Sequence, residues 1–127
     1  MHIMEAISMS DEFLSIIGAA LESLDKEQLL EHYADDAVFE SSVTGNLFKG
    51  KDELRAYFTR LFSLPGVRFQ VLSFFSSPEM AAMEWIWSGL SAQSRLPFRI
   101  RGASIFKRAG YKITHETIYY DPAPSRA

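Results

Sequence analysis

The sequence contains no cysteine, and this absence excludes several kinds of site. Without thiols the chain can form no disulfide framework, no thiolate nucleophile and no Cys-ligated zinc site, and a reducing, cytoplasmic location is expected. No window approaches the ~20 consecutive apolar residues of a membrane span. The first residues also lack the basic leader and apolar core of a signal peptide. We therefore expect no membrane partner.

Positive charge is also sparse. The chain carries 13 Lys and Arg residues against 16 Asp and Glu residues, which gives a net charge of -3 at pH 7. No basic stripe is present to contact a phosphate backbone, so nucleic acid is not expected as a partner. The histidines at positions 2, 32 and 115 do not have the spacing of a metal site, and no glycine-rich phosphate loop is present. The sequence therefore predicts neither a metal nor any other cofactor.

A length of 127 residues and a hydrophobic content of 47% are typical of one packed domain. We predict a flexible leader over residues 1–10, a single domain over residues 11–121 and a flexible, proline-containing tail over residues 122–127. No internal repeat or interdomain linker is visible.

Three helices are predicted in the first half of the chain. The first begins near Asp11 and ends before the capping box that runs from Asp25 to Gln28, which begins the second helix. The second helix is expected to fray at residues 34–36, with Tyr33 in its apolar stripe. The third helix follows Gly50, and its apolar side includes Phe58.

Alternating apolar residues predict five strands, over residues 37–43, 67–76 and 80–90 and in a long hairpin at the end. Helices at the start and consecutive antiparallel strands at the end indicate an α+β domain. We expect three N-terminal helices packed on a strongly curved mixed sheet, which together form a cone with a small-molecule pocket at its open end.

The hairpin is predicted to turn at Arg108-Ala109-Gly110, with Lys107 paired to Tyr111. This register places Gly102 opposite Glu116. Because the side-chain period of a strand is two, one face then carries a mostly apolar set. Its members are Phe98, Ile100, Gly102, Ser104, Thr114, Glu116, Ile118 and Tyr120.

Glu116 is the leading candidate for chemistry on this face. A carboxyl group among apolar residues is desolvated, which raises its pKa toward the range of general acid/base catalysis. Gly102 leaves room for a ligand beside it, and Tyr120 can donate a hydrogen bond to a ligand carbonyl. The alternative is that Glu116 lies near the open rim and only makes it more soluble.

Further ligand contacts are predicted around this carboxyl group. Ser41 is expected to point into the cone while Glu40 points outward, and Phe58 of the third helix is expected to contact the ligand. Trp85 and Trp87 share one face of their strand. Two such indoles can form walls of the pocket, part of the core or a dimer surface. The apolar walls would be completed by Phe98, Ile100 and Ile118.

Four segments of the chain resemble those of a known protein family: YADDAVFES at 33–41, GKDELRAYF at 50–58, RGASIF at 101–106 and IYYDP at 118–122. With the order of elements, they make the chain similar to the SnoaL-like branch of the nuclear transport factor 2-like superfamily. That resemblance implies the cone-shaped fold. It also implies a set of activities that includes isomerases, polyketide cyclases, epoxide hydrolases, dehydratases and proteins without catalysis.

Ketosteroid isomerase, a member of that superfamily, offers a comparison at the level of residues. Alignment with its motifs places the base of that enzyme at Ser41, its tyrosine donor at Ile17 and its aspartate donor at Gly102. All three groups are missing, so steroid isomerisation by that mechanism is not expected.

The resemblance also implies a homodimer that pairs through the sheets. The predicted outward faces of the hairpin fit this expectation, because they carry Ile105, Ile113, Tyr119 and Arg99.

Two functional classes stay open from the sequence. One is a cofactor-independent isomerase, cyclase or lyase that uses Glu116 as acid/base on a hydrophobic carbonyl compound. The other is a non-catalytic, dimeric domain that binds a hydrophobic small molecule in the same pocket.

Overall fold

A computed structural model describes the backbone of residues 2–123 and the side chains of residues 12–123. The predicted tail beyond residue 123 therefore lies outside the described residues. Three helices precede or interrupt the first strands: α1 (His2–Glu22), α2 (Lys26–Glu31) and α3 (Lys51–Phe62). None of the described helices combines the length and apolar character needed to cross a bilayer.

The helices begin where capping and charge favour them. Asp25 caps α2, because its carboxylate accepts a hydrogen bond from the backbone N–H of Gln28, and this confirms the predicted start of the helix. The N–H of Asp25 donates to the carbonyl oxygen of Ala20, so the reciprocal bond of a capping box is not formed. Acidic Asp52 and Glu53 lie in the first turn of α3, where negative charge interacts favourably with the helix dipole. The start of α1 is His2 rather than the region of Asp11.

Six strands form one sheet: β1 (Tyr33–Ser41), β2 (Leu47–Lys49), β3 (Arg68–Ser76), β4 (Met80–Leu90), β5 (Pro97–Ala109) and β6 (Lys112–Tyr120). Their order across the sheet is β2-β1-β6-β5-β4-β3. The β1–β6 pair is parallel and the other pairs are antiparallel, so the sheet is mixed and the fold is α+β, as predicted. The short β2 was not predicted. Because α1 packs on β3 while α3 packs on β1 and β2, the core lies between the helices and the inner face of the sheet.

The predicted register of the hairpin is wrong. Glu116 pairs with Phe106, and Gly102 pairs with Tyr120. The turn is shorter than expected, because Ala109 pairs directly with Lys112. The register error is an even number of residues. From Gly102 to Lys107 each side chain therefore still lies on the side of the sheet that was predicted for it.

An irregularity in the hairpin changes the side on which Ile113 lies. The pairing shifts between Lys107, which faces His115, and Arg108, which faces Ile113. Ile113 is consequently fully buried instead of lying on the outward face. The prediction that Ile113 contributes to an exposed dimer surface is therefore wrong.

Tyr33 also lies in a different element from the one predicted. It is the first residue of β1 and pairs with Ile113 of β6. The expected second helix ends at Glu31, because the chain joins the sheet at this point. Tyr33 is nonetheless buried, as expected of a core residue.

The space beside Gly102 is occupied by an indole ring. A Cβ atom at this position would lie 2.4 Å from Cη2 of Trp85 and 2.8 Å from the carbonyl oxygen of Tyr119. The glycine therefore permits close packing of Trp85 against β5. It does not leave room for a ligand beside Glu116, which corrects that part of the prediction.

Candidate functional site

A cavity of about 330 Å³ lies between the helices and the inner face of the sheet. Its walls are largely aromatic and aliphatic, which is typical of a small-molecule site. Seven of the residues predicted to contact a ligand line it: Ser41, Phe58, Trp85, Trp87, Glu116, Ile118 and Tyr120.

Three predicted contacts do not line the cavity. Phe98 is buried and lies edge-on to the Trp87 ring, with centroids 4.9 Å apart. Ile100 is buried and pairs with Trp87 across β4 and β5. Gly102 lies against Trp85. These three residues therefore pack against the tryptophans that line the cavity. The prediction that they line the cavity themselves is corrected.

The structure identifies which face of β4 lines the cavity. Met83, Trp85 and Trp87 all contribute to the lining, as alternation along one strand requires. The two indoles contact Tyr120, with ring centroids 6.4 Å and 6.1 Å away, respectively. The tryptophans and Tyr120 thus form one continuous wall.

Glu116 is buried at this wall, with 5% of its surface exposed. The hydroxyl group of Tyr33 donates a hydrogen bond to its Oε1 atom. Ser104 lies on the same face of the sheet, opposite Ile118, and its hydroxyl group lowers the pKa of the carboxyl group. The indole Nε1–H of Trp85 in turn donates to Oγ of Ser104 across 3.0 Å. Four strands therefore contribute to one connected polar group inside an apolar cavity.

Burial raises the pKa of Glu116 from 4.5 to about 7, while the hydrogen bonds from Tyr33 and Ser104 act in the opposite direction. Burial and the neighbouring Glu116 carboxylate hold the pKa of Tyr33 well above its ordinary value. Tyr33 is therefore a protonated hydrogen-bond donor at neutral pH. Glu116 is close to half-protonated there, which is the condition for both accepting and returning a proton.

Tyr57 of α3 lies near this carboxylate. Its pKa is raised above the ordinary value by burial, by Glu116 and by Tyr120, whereas Arg60 acts in the opposite direction. The exposed side chains that line the cavity are those of Thr44, Asn46 and Arg60. The cavity thus has a polar rim and a buried acidic group.

Sequence reasoning missed the roles of Tyr33, Ser104 and Arg60. Alternation placed Ser104 on the same face as Glu116, so its proximity was visible in the pattern. Tyr33 was assigned to a helix, and no local pattern links it to a glutamate 83 residues away. Arg60 had no signal beyond its position near the end of α3.

Glu40 belongs to a separate cluster and does not line the cavity. Its Oε1 atom lies 2.8 Å from Nε2 of His115 and accepts a hydrogen bond from Oγ1 of Thr117. These bonds lower the pKa of Glu40. In the part of the chain that the structure describes, no three His, Asp or Glu side chains converge in a way that could hold a metal ion.

The α+β architecture, the mixed six-stranded sheet and a cavity between helices and sheet define a nuclear transport factor 2-like domain. The profile of the SnoaL-like domain matches residues 17–116, and the chain belongs to that family. A search of curated protein sequences gave no significant match.

Solved structures share the fold over most of the chain. A protein from Catenulispora acidiphila with a ketosteroid isomerase-like fold, solved in complex with trimethylamine, is 17% identical with a TM-score of 0.79, and the match covers 90% of this chain and 88% of that one. A candidate SnoaL-like polyketide cyclase from Shewanella denitrificans is 18% identical with a TM-score of 0.75, covering 92% and 93% of the two chains. A candidate isomerase from Bacillus subtilis is 19% identical with a TM-score of 0.74, covering 91% and 88%.

Proposed function

We propose that the cavity binds a hydrophobic, carbonyl-bearing small molecule and that Glu116 acts on it as a general acid/base, without a cofactor. The observation that carries this proposal is a single buried carboxyl group, with a pKa raised to about 7, in the wall of a largely apolar cavity. Such a group can remove a proton from carbon at neutral pH and then return it.

The proposed reaction begins at a carbon next to the carbonyl group. The Glu116 carboxylate removes a proton from that carbon, and the electron pair moves into the carbonyl to form an enolate. Tyr120, whose side chain lines the same cavity, donates a hydrogen bond to the enolate oxygen. The protonated Glu116 then returns the proton at another position. Isomerases, cyclases and lyases share this first step.

The similar structures support this class of reaction only through their descriptions. Two are described as a candidate polyketide cyclase and a candidate isomerase, while another carries no assigned activity. At these identities the fold is shared but the residues of the site need not be. The proposal therefore depends on Glu116 and its surroundings.

Solvent deuterium exchange tests the proposal without knowledge of the product. The protein would be incubated in D₂O with a panel of aromatic and aliphatic ketones, β-diketones and lactones, and deuterium incorporation would be measured by mass spectrometry. We expect exchange next to the carbonyl group for at least one hydrophobic compound. Glu116→Gln should reduce its rate by ~10²–10⁴-fold, because the amide cannot transfer the proton.

Glu40→Gln is the matched control. Glu40 is a hydrogen-bonded glutamate on the neighbouring strand, but it does not line the cavity, so its variant should retain the exchange rate. Equal rates for wild type and Glu116→Gln would contradict the proposed role.

A non-catalytic binding domain is the second candidate. It is favoured by the absence of the ketosteroid isomerase groups from the aligned positions, since Ile17 and Ser41 line the cavity without offering a carboxylate or a phenol. In this case compounds of the panel bind, but none undergoes exchange. The Glu116→Gln change then alters affinity and its pH dependence only.

A further inference from the structure

The hydrogen bonds around Glu116 have a direction. An indole N–H can only donate, so Oγ of Ser104 is the acceptor of the bond from Trp85. The single hydroxyl hydrogen of Ser104 is then free to point at Glu116, which lies on the same face two residues from Ile118, the partner of Ser104 on β6, and whose pKa Ser104 lowers. Tyr33 also donates to this carboxylate.

We infer that Trp85 and Ser104 are a positioning pair that, together with Tyr33, keeps Glu116 a hydrogen-bond acceptor, so that the ligand presents a donor group or an acidic C–H to it. This inference deepens the proposed function, since it takes Glu116 as the group that meets the ligand. It narrows the ligand class from any carbonyl compound to one whose O–H, N–H or activated C–H reaches the carboxylate.

The capacity of the carboxylate supports this ligand class. An ionised carboxylate offers about four acceptor positions, of which Tyr33 and Ser104 occupy two. An approaching ligand therefore meets unoccupied lone pairs. When Glu116 is ionised, a bare carbonyl oxygen at the same place would bring its partial negative charge against the carboxylate.

The other titratable groups of the cavity are distinguishable from Glu116. They are the phenols Tyr33, Tyr57 and Tyr120 and the guanidinium Arg60, on β1, α3, β6 and α3, respectively. Within residues 12–123, whose side chains the structure describes, none of these other cavity groups is a carboxyl group. A carboxyl signal that titrates inside this cavity therefore reports Glu116 alone.

The first experiment follows that signal by NMR in protein with ¹³C-labelled glutamate side chains. Ser104→Ala removes one donor and should raise the pKa of Glu116 by roughly one pH unit, because hydrogen bonds to the charged form stabilise it. Trp85→Phe should raise it by less, because the Ser104 hydroxyl remains but can rotate. In the Ser104→Ala background, Trp85→Phe should cause no further rise.

Trp87→Phe is the matched control, since this indole lies on the same face of β4 and its N–H has no hydrogen-bond partner among the described residues. It should leave the pKa of Glu116 nearly unchanged. If Trp85→Phe prevents folding, Tyr33→Phe provides a second test by removing the other donor while keeping the ring, and it should raise the pKa of Glu116. An unchanged pKa in Ser104→Ala or in Tyr33→Phe, or equal effects of Trp85→Phe with and without Ser104, would overturn the positioning role.

The second experiment tests the ligand class with two probes that differ in one hydrogen-bond donor. At about pH 8, where Glu116 is ionised, wild-type protein should bind 2-naphthol roughly tenfold more tightly than 2-methoxynaphthalene by calorimetry. Glu116→Gln should reduce that preference to within about threefold, because the amide is an uncharged acceptor. Equal affinity of the wild-type protein for the two probes would refute the donor requirement.

Failure of this inference is distinguishable from failure of the proposed function. The titration and the binding preference need no turnover, so they can succeed in a protein that catalyses no exchange. If exchange depends on Glu116, while Ser104→Ala leaves the pKa of Glu116 unchanged and the probe's donor leaves the affinity unchanged, the acid/base role is retained and the positioning pair is overturned.

Discussion

The buried Glu116 should make the stability of the protein fall with rising pH in a definable window. Its pKa is about 7 in the folded chain, against an ordinary value of 4.5 that applies after unfolding. Below pH 4.5 the group is protonated in both states. Between pH 4.5 and about 7 the unfolded chain loses this proton while the folded chain keeps it, so the free energy of unfolding decreases. Above that range the loss is constant.

The magnitude follows from the difference between the two pKa values. Each pKa unit corresponds to about 1.4 kcal/mol, so ionisation of Glu116 costs the folded state about 3 kcal/mol in total. The free energy of unfolding of a small domain is typically about 5–15 kcal/mol, so this cost is a large share of it. At about the lower end of that range the cost would exceed half of the total stability. The Glu116→Gln variant should lack this contribution, because glutamine does not ionise.

The contribution of this group is isolated by urea denaturation of wild type and Glu116→Gln at intervals from about pH 5 to about pH 8. All other titrations are common to both proteins and cancel in the comparison. The stability of the variant relative to wild type should rise by about 2–3 kcal/mol across the range. A difference that stays constant within about 0.5 kcal/mol would show that Glu116 titrates in the folded protein as a solvated carboxyl group.

Two further predictions concern packing and assembly. Gly102→Ala should destabilise the domain by about 1–3 kcal/mol or more in urea denaturation, because the added Cβ atom collides with the Trp85 ring. The tryptophan fluorescence should change as well. Unchanged stability would mean that the indole does not occupy this space. We also predict a homodimer formed through the outer face of the sheet, where Phe75 is 73% exposed, Tyr119 49% and Ile105 38%. Sedimentation should give a dimer that Phe75→Glu with Ile105→Glu converts to a monomer, and a 14.4 kDa species for the wild type at high micromolar concentration would contradict it.

Local patterns in the sequence determined the elements and the faces of the strands. The strand over Met80–Leu90 was predicted with its observed bounds, because apolar residues alternate along it and turn residues precede it. The capping box at Asp25 marked the start of α2, since a side chain that bonds the backbone three residues later acts locally. Glu116 was recognised as an inward-facing carboxyl group because the period of two holds from Glu116 to Tyr120, beyond the irregularity near Ile113.

Tertiary structure decided which of these residues meet. The hairpin register depended on pairing along the whole sheet and on the irregularity near Arg108, and loop residues alone did not specify it. Tyr33 left its expected helix because β1 pairs in parallel with β6, and this contact joins residues 80 positions apart. The pKa of Glu116 was decided in the same way, because burial by several elements raises it while Tyr33 and Ser104 lower it. Local sequence sets which way a side chain points, but its partners and its solvation arise only when distant segments pack together.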